Sequence, residues 1–540
     1  MAISDTFSGE STYIYSSRIV NFHGIKNANK TLMSSGLFLM SLDSNGLLSY
    51  KKNGKLIYDK LKIELTLNEQ GMRVENHNNY INSNTEKTFH YAFFTAINLL
   101  LSEKRFFNEG FSFPLPKTRF FMMPVFIQAK DNDEGELFFP IVTIYEDGTI
   151  QLSFKSFLGF HEANKGQLIK EIANKSQLNI KSFCCTQEVF LSLIGYEYSK
   201  QSFTERLKNK KFFNDFIARS FKKPFEFDFL DDNLQLFNLI KTDIITITDI
   251  ARNILSFLGS SIENNTVIKA PQLLGKKRSD GSLGFFWSSK PVILVSHHSR
   301  QMSNASANWN AHRTLVNAVM QRTTYFKSIK KTLIEINDVR SFDDFNHFYS
   351  DSISFIMMSK NATRSVEEHP TYNIQNVASD IISLNEIAEY IKTYYCCAEK
   401  NIDNCNSTID VVNEKLELSK FESSLMAAQK YGEIAIFIEH VRSGKFVANS
   451  IKNTEKKLES IVTLLELNER VSSEKYNNKI AIFFGFIASA SLSPEFVQPL
   501  LRIIGFDSIL AQESQLKIVS FIVSIATVFI AFKLINRSSK

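Results

Sequence analysis

The chain has 540 residues, enough for about two to four domains rather than a single core. Its 44% hydrophobic and 22% charged residues are those of folded protein and exclude a disordered chain, while 48 Phe against 10 Pro and 20 Gly favour long helices over a loop-rich all-β fold. The formal charge of +6 comes from 62 Lys and Arg scattered among 56 acids, so no dedicated nucleic-acid surface and no direct nucleic-acid binding are expected.

The first residues, MAISDTFSGESTYIYSS, lack a basic stretch followed by an apolar run. No signal peptide is expected, and everything before residue 479 is assigned to the cytoplasmic side. GLFLMSLDSNGLLSYKKNGKLIYDKLKIELTL (36–67) reads as short strands turning at Ser-Asn-Gly and Lys-Asn-Gly, both strong hairpin signals. KTFHYAFFTAINLLLSEKRFF (87–107) is patterned as a helix, and FFPIVTIYEDGTIQLSF (138–154) as a hairpin turning at Asp147-Gly148. SFTERLKNKKFFNDFIARSF (202–221) is a second helix, and DNLQLFNLIKTDIITITDIARNILSFLGSS (232–261) continues as one or two more. Strands and helices mixed in this way predict an α+β domain over 1–300, a sheet with helices packed on it.

The densest polar chemistry follows. GKKRSDGSLG (275–284) is basic and bounded by glycines, and FFWSSKPVILVSHHSRQ (285–301) reads as a strand ending at His297, His298 and Arg300. ANWNAHRTLVNAVMQRTTYF (307–326) is a helix carrying His312 and Arg313. Lys276, Lys277, Arg278 and Arg300 form either an anion or nucleotide pocket at strand and helix ends, or a solvated loop and strand terminus. The second is the favoured reading, and the loop is not the G-x-x-x-x-G-K-[ST] phosphate loop. Adjacent histidines on a strand point to opposite faces, so no metal site is assigned. The metalloprotease, hydrolase, dinucleotide, kinase and EF-hand signatures are all missing from the sequence, so no catalytic residue is assigned and no enzyme is expected. Cys184, Cys185, Cys396, Cys397 and Cys405 match neither a disulfide framework nor paired C-x-x-C spacing and read as reduced thiols.

From Thr371 to Ser493 there is no proline, and the apolar positions keep a helical period. VASDIISLNEIAEYIKTYY (377–395) aligns Ile381, Leu384, Ala388 and Ile391, and a second helix spans 407–441, ending at Ser443-Gly444. With the stretch before it, this makes 301–444 a helical domain. A third helix starts near Lys445 and forms a stalk over 445–478. Ile451, Leu458 and Leu465 interleave with Thr454, Ile461 and Asn468 as an a/d seam of about three heptads. Either the seam self-associates around an axis faced by Thr454 and Asn468, or it packs inside a three-helix bundle.

Two apolar runs follow, over 480–501 and 518–532. The second, IVSFIVSIATVFIAF, lies between Lys517 and Lys533, and Leu534 and Ile535 lengthen it toward the roughly 20 residues a bilayer needs. The first meets Pro494 and Glu495, so it spans with a distorted end or is re-entrant. Gly485, Ser489 and Ser493 recur every four residues and line one helix side, for helix packing or for a narrow pore. The basic tail Lys533, Arg537, Lys540 places the end of a two-span hairpin (479–540) in the cytoplasm. The expected location is the bacterial inner membrane.

A large α+β domain, a proline-free helical stalk running into the first of two spans, and a short basic tail together resemble the CorA-like two-transmembrane cation channels. The resemblance covers mainly 371–540 and is to a divergent branch, since SASLSPEFVQPL stands where that family carries Gly-Met-Asn. It implies a homo-oligomeric funnel with the stalk and first span around the pore, and a divalent cation as the associated ion. It also implies kinship with membrane effectors of prokaryotic antiviral systems, gated by a small nucleotide ligand. The functional expectation is an oligomeric channel or pore-forming effector gated through its cytoplasmic domain. The alternative is a membrane-tethered sensor or scaffold, with a cytoplasmic partner protein, whose hairpin is only an anchor.

Overall fold

The computed structural model describes residues 5–52, 54–61, 65–68, 71–74, 87–107, 113–130, 135–227, 231, 235–240, 245–278, 280–331, 333–340, 343–370, 372–429, 432–505 and 513–538. Its strands are β1 (Thr6–Ile19), β2 (Phe38–Asp43), β3 (Leu47–Lys52), β4 (Lys55–Lys60), β5 (Leu65–Asn68), β6 (Gly71–Val74), β7 (Lys117–Met122) and β8 (Val125–Ala129). They continue with β9 (Gly135–Tyr145), β10 (Thr149–Ser156), β11 (Phe160–Asn164), β12 (Ile180–Cys185), β13 (Phe237–Ile240), β14 (Leu283–His298), β15 (Phe345–Tyr349) and β16 (Ser354–Met358). One 14-stranded sheet runs β15-β16-β14-β1-β10-β9-β7-β2-β3-β4, with β8, β11, β12 and β13 joined off that path. Pairing is antiparallel except between β14 and β16. β5 and β6 form a separate ladder.

The hairpin turns fall where the glycines predict them. Gly46 joins β2 to β3, Gly54 joins β3 to β4 and Gly148 joins β9 to β10, each at positive φ. Period-two alternation sends neighbouring side chains to opposite faces. Tyr13 and Tyr15 enter one core with helices α1 (Ile25–Ser35) and α6 (Ile247–Glu263), whereas Ile14 enters another with Ala378 and Ile381. Phe120 and Phe121 divide the same way.

The remaining helices of the first half are α2 (Lys87–Phe106), α3 (Lys165–Gln167), α4 (Gln187–Lys200) and α5 (Phe203–Ser220). α5 starts on a capping box between Ser202 and Glu205. The segment expected to be one or two helices over 232–261 is instead strand β13 followed by α6. β-branched and aromatic residues pair Phe237–Ile240 with β12, overriding the helical period.

Helices α7 (Ala305–Met320), α8 (Phe326–Lys331), α9 (Lys360–Glu368), α10 (Ile374–Asp403), α11 (Thr408–Ala427), α12 (Gly432–Ser443), α13 (Lys445–Leu492), α14 (Gln498–Ile503) and α15 (Glu513–Ser538) complete the chain. Within the stretch read as helical, 345–358 also supplies β15 and β16. The single helix expected over 407–441 is two, because Gln429 leaves the helix to bridge Phe107. By compactness the chain forms two units. One covers Met1–Asn401 with Leu416–Thr454, the other Ile402–Lys415 with Glu455–Lys540.

Candidate functional site

Helix α15 contains Glu513–Ile530, a window of mean hydropathy 1.5 that is long and apolar enough to cross a membrane. Among the described residues it is the one helix that meets this test. One side of it is buried and the other exposes large apolar side chains. Leu516, Ser520 and Ser524 are buried, while Ile518, Ile522 and Phe529 are 60%, 57% and 61% exposed. The inward serines are satisfied within the helix, Ser520 Oγ donating to the Lys517 carbonyl and Ser524 Oγ to that of Ser520, each at 2.9 Å. α15 packs on α14 and on a π-helical turn, Ser493–Val497, that holds Pro494 and Glu495. It also reaches α13, where a Cβ on Gly485 would come within 2.9 Å of Val528 Cγ1. Gly485 is therefore used for close helix packing. The side chains of Ser489 and Ser493 lie outside the described residues.

The seam residues separate. Thr454 is fully buried, its hydroxyl without a hydrogen-bond partner, whereas Asn468 is exposed. Leu458 packs with Ile402 and Val411, so that part of the seam is covered by the chain's own helices. Beyond it, Leu464, Leu467 and Val471 are 58%, 55% and 48% exposed on α13.

Arg278 and Arg300 are not brought together. They precede and follow β14, whose 16 residues span roughly 50 Å. Arg278 donates to the carbonyls of Ser260 and Thr266, Arg300 lies 3.8 Å from Asp5, and Lys276 and Lys277 are exposed. The histidines do converge in part. His298 and His312 meet edge to face at 4.7 Å beside Phe7, while His297 turns out to Glu367 at 2.8 Å. Burial pushes His298 down to about 3, and neither of its ring nitrogens has a hydrogen-bond partner. Among the described residues no group of three His, Cys, Asp or Glu could hold a metal ion.

Comparison with protein-family models, with curated proteins and with solved structures finds no match.

A buried ionic ladder along α10 was not anticipated from the sequence. Glu386, fully buried, accepts from Arg119 Nε at 3.2 Å and Nη2 at 2.8 Å, and from Ser153 Oγ at 3.2 Å. Arg119 and Lys117, two apart on β7 and so on one face, also pair with Glu103 of α2. Burial works against the Glu103 carboxylate, yet Arg119 and Lys117 hold its pKa below the ordinary value. Nearly two turns before Glu386, Asp380 takes Arg105 at 2.9 Å and the Tyr372 hydroxyl at 2.6 Å. One turn after it, Glu389 takes Lys392 at 3.0 Å and Lys290 at 3.4 Å. Lys290 Nζ sits 3.3 Å over the Tyr349 ring, and burial lowers its pKa to about 7. The legible signal was a set of charges inside an otherwise apolar strand, KTRFFM, and inside the apolar stripe of α10.

The first unit also holds a cavity of about 570 Å³, in the size range of small-molecule sites. Phe126, Phe138 and Phe160 line it with His161, Lys170 and the ion pair of Glu136 with Lys175. Burial lowers the Lys175 ammonium to about 8.

Proposed function

We propose that this chain is a membrane-embedded effector whose α+β unit controls a helical output unit, and that copies assemble through α13 into a pore of the CorA-like type. The observation that carries the membrane part is the burial of α15, with serines inward and isoleucines outward. In lipid, small and self-satisfied polar residues pack helices together, and apolar side chains face the solvent. The two-span hairpin, α13 with α15, belongs to this proposal, as do the bacterial inner membrane and a cytoplasmic α+β unit. Self-association is supported by the stripe Leu464, Leu467 and Val471, apolar and uncovered alongside the end of the seam. The cavity beside Lys175 is the proposed entry point for a gating ligand, with a small nucleotide as the class: aromatic walls suit a base, and the exposed Lys170 suits a phosphate. A ligand that binds one conformation of the unit more tightly shifts the helical output by that difference in affinity.

One observation favours the tethered-sensor reading. Thr454 and Leu458 are already covered within the chain and so are not free to face an axis. The two readings part on one experiment, the oligomeric state of full-length protein in detergent together with ion flux in liposomes. The channel reading expects an oligomer and flux, both lost on changing Leu464, Leu467 and Val471 to Ser. A monomer without flux overturns it and leaves the anchor.

A further inference from the structure

We propose that the start of α5, together with the loop 272–277, is a docking face for the surface of an anionic lipid bilayer. The loop carries Leu274 at its tip, 87% exposed, followed by exposed Lys276 and Lys277. It is not a loose excursion. Arg206 of α5, 2% exposed, donates Nη1 to the carbonyls of Gln272 at 3.5 Å, Leu273 at 3.3 Å and Gly275. Its Nη2 reaches the Ser199 carbonyl at 2.7 Å and its Nε that of Gln201 at 3.0 Å. On the other side Arg278 is fixed to Ser260 and Thr266, and its own N–H donates to the Ser199 carbonyl at 3.0 Å. Two guanidinium groups thus hold the loop rigidly while its leucine stays in solvent. A leucine exposed on a mobile loop needs no explanation; one held out by a buried arginine points to a partner.

The neighbouring surface has matching chemistry. α5 exposes Phe203 and Leu207, one turn apart and 53% and 56% accessible. Lys210 and Lys211, three and four residues beyond Leu207, share its side of the helix. Glu205 is used in the capping box, where Ser202 lowers its pKa, and Lys277 and Lys208 lie close enough to lower it further. The Arg206 hydrogen bonds lay the loop along the first turns of α5. Separate protruding apolar tips ringed by exposed lysines suit a soft, negatively charged interface: the apolar ends enter the headgroup layer and each lysine contributes about 1 kcal/mol, a factor of roughly five.

The inference rests on the membrane reading above, because a chain already held at a bilayer needs only weak surface binding to dock. The test uses full-length Leu274→Trp protein in nanodiscs with brominated acyl chains, either phosphatidylcholine alone or mixed with phosphatidylglycerol. The added indole is expected to be quenched in the anionic discs only. Adding Lys208→Gln, Lys211→Gln and Lys277→Gln is expected to weaken docking roughly fivefold per lysine. Alkaline carbonate extraction of the same samples reports embedding separately. Protein that resists extraction while its indole is unquenched overturns the docking face, leaves the anchor intact and points to an acidic protein partner. Extractable protein whose indole is still quenched by anionic lipid overturns the anchor and keeps the docking face.

Discussion

The two units of this chain differ in how they place polar and apolar side chains beside their apolar cores. The first encloses full charges, with Glu386 and Arg119 at 0% and 4% exposure between a sheet and α10. The second encloses serines and turns isoleucine and phenylalanine outward along α15. In water the favourable direction is apolar inward, and a buried ion pair persists only when its partners and hydrogen bonds are complete. The ladder on α10 meets that condition around Glu386, which has Arg119, Thr143 and Ser153. On the proposed reading the outward face of α15 meets an apolar medium, and the contrast then follows from the solvent of each unit rather than from two folds.

The comparison breaks most severely in the first unit if Arg119 is removed. Arg119→Ala leaves Glu103 and Glu386 buried with half their compensation, and the expected cost is about 3–5 kcal/mol, enough to unfold a marginal domain. Thermal melts of the detergent-solubilised full chain should show the α+β transition falling or vanishing. The paired change Arg119→Met with Glu386→Leu should recover most of the loss, since both charges then leave the core. A single Ala variant as stable as the parent would show that this cluster is hydrated rather than closed.

In the second unit the matching change adds a charge where an apolar side chain faces outward. Ile522→Asp, near the middle of the apolar window, should weaken insertion by about 2.5–3.5 kcal/mol if that face meets lipid. In water the same surface change would alter stability by no more than about 0.5 kcal/mol. The fraction released by alkaline carbonate separates the two outcomes. An unchanged membrane fraction would remove the contrast between the units and with it the proposal built on α15.

How far the sequence showed this contrast in advance depends on the range of the interactions. Local signals were reliable: the Gly46, Gly54 and Gly148 turns and the period of α10 each rest on residues within a few positions. The apolar run of α15 was equally plain, because hydropathy is a property of the segment itself. What stayed hidden depends on pairing at a distance. Glu386 and Arg119 are 267 residues apart, and neither position marks the other. The split of Lys276, Lys277 and Arg278 from Arg300 is likewise a matter of strand length, since β14 runs unbroken between them. Arg206 could be read only as one more lysine-like charge on a basic helix until its carbonyl partners were seen.

The smallest expected effect is a slope. Burial lowers the Lys290 ammonium to about 7 from 10.5, so its pKa is depressed on folding. Between those two pH values the unfolded chain holds a proton that the folded chain has released, and stability rises with pH. The cost of burying the charge is fully present below pH 7 and gone above 10.5. One such group contributes at most about 1.4 kcal/mol per pH unit. Lys175, lowered to about 8, adds a second contribution over a narrower window. Lys290→Met removes the first and leaves the second, while Glu389 keeps Lys392 as its partner at 3.0 Å. The unfolding free energy of the α+β unit, followed in denaturant from pH 7 to 9, should therefore rise less steeply in the variant, by about 2 kcal/mol across that range. Equal slopes would mean that Lys290 remains charged in the folded chain and that Glu389, rather than burial, sets its state.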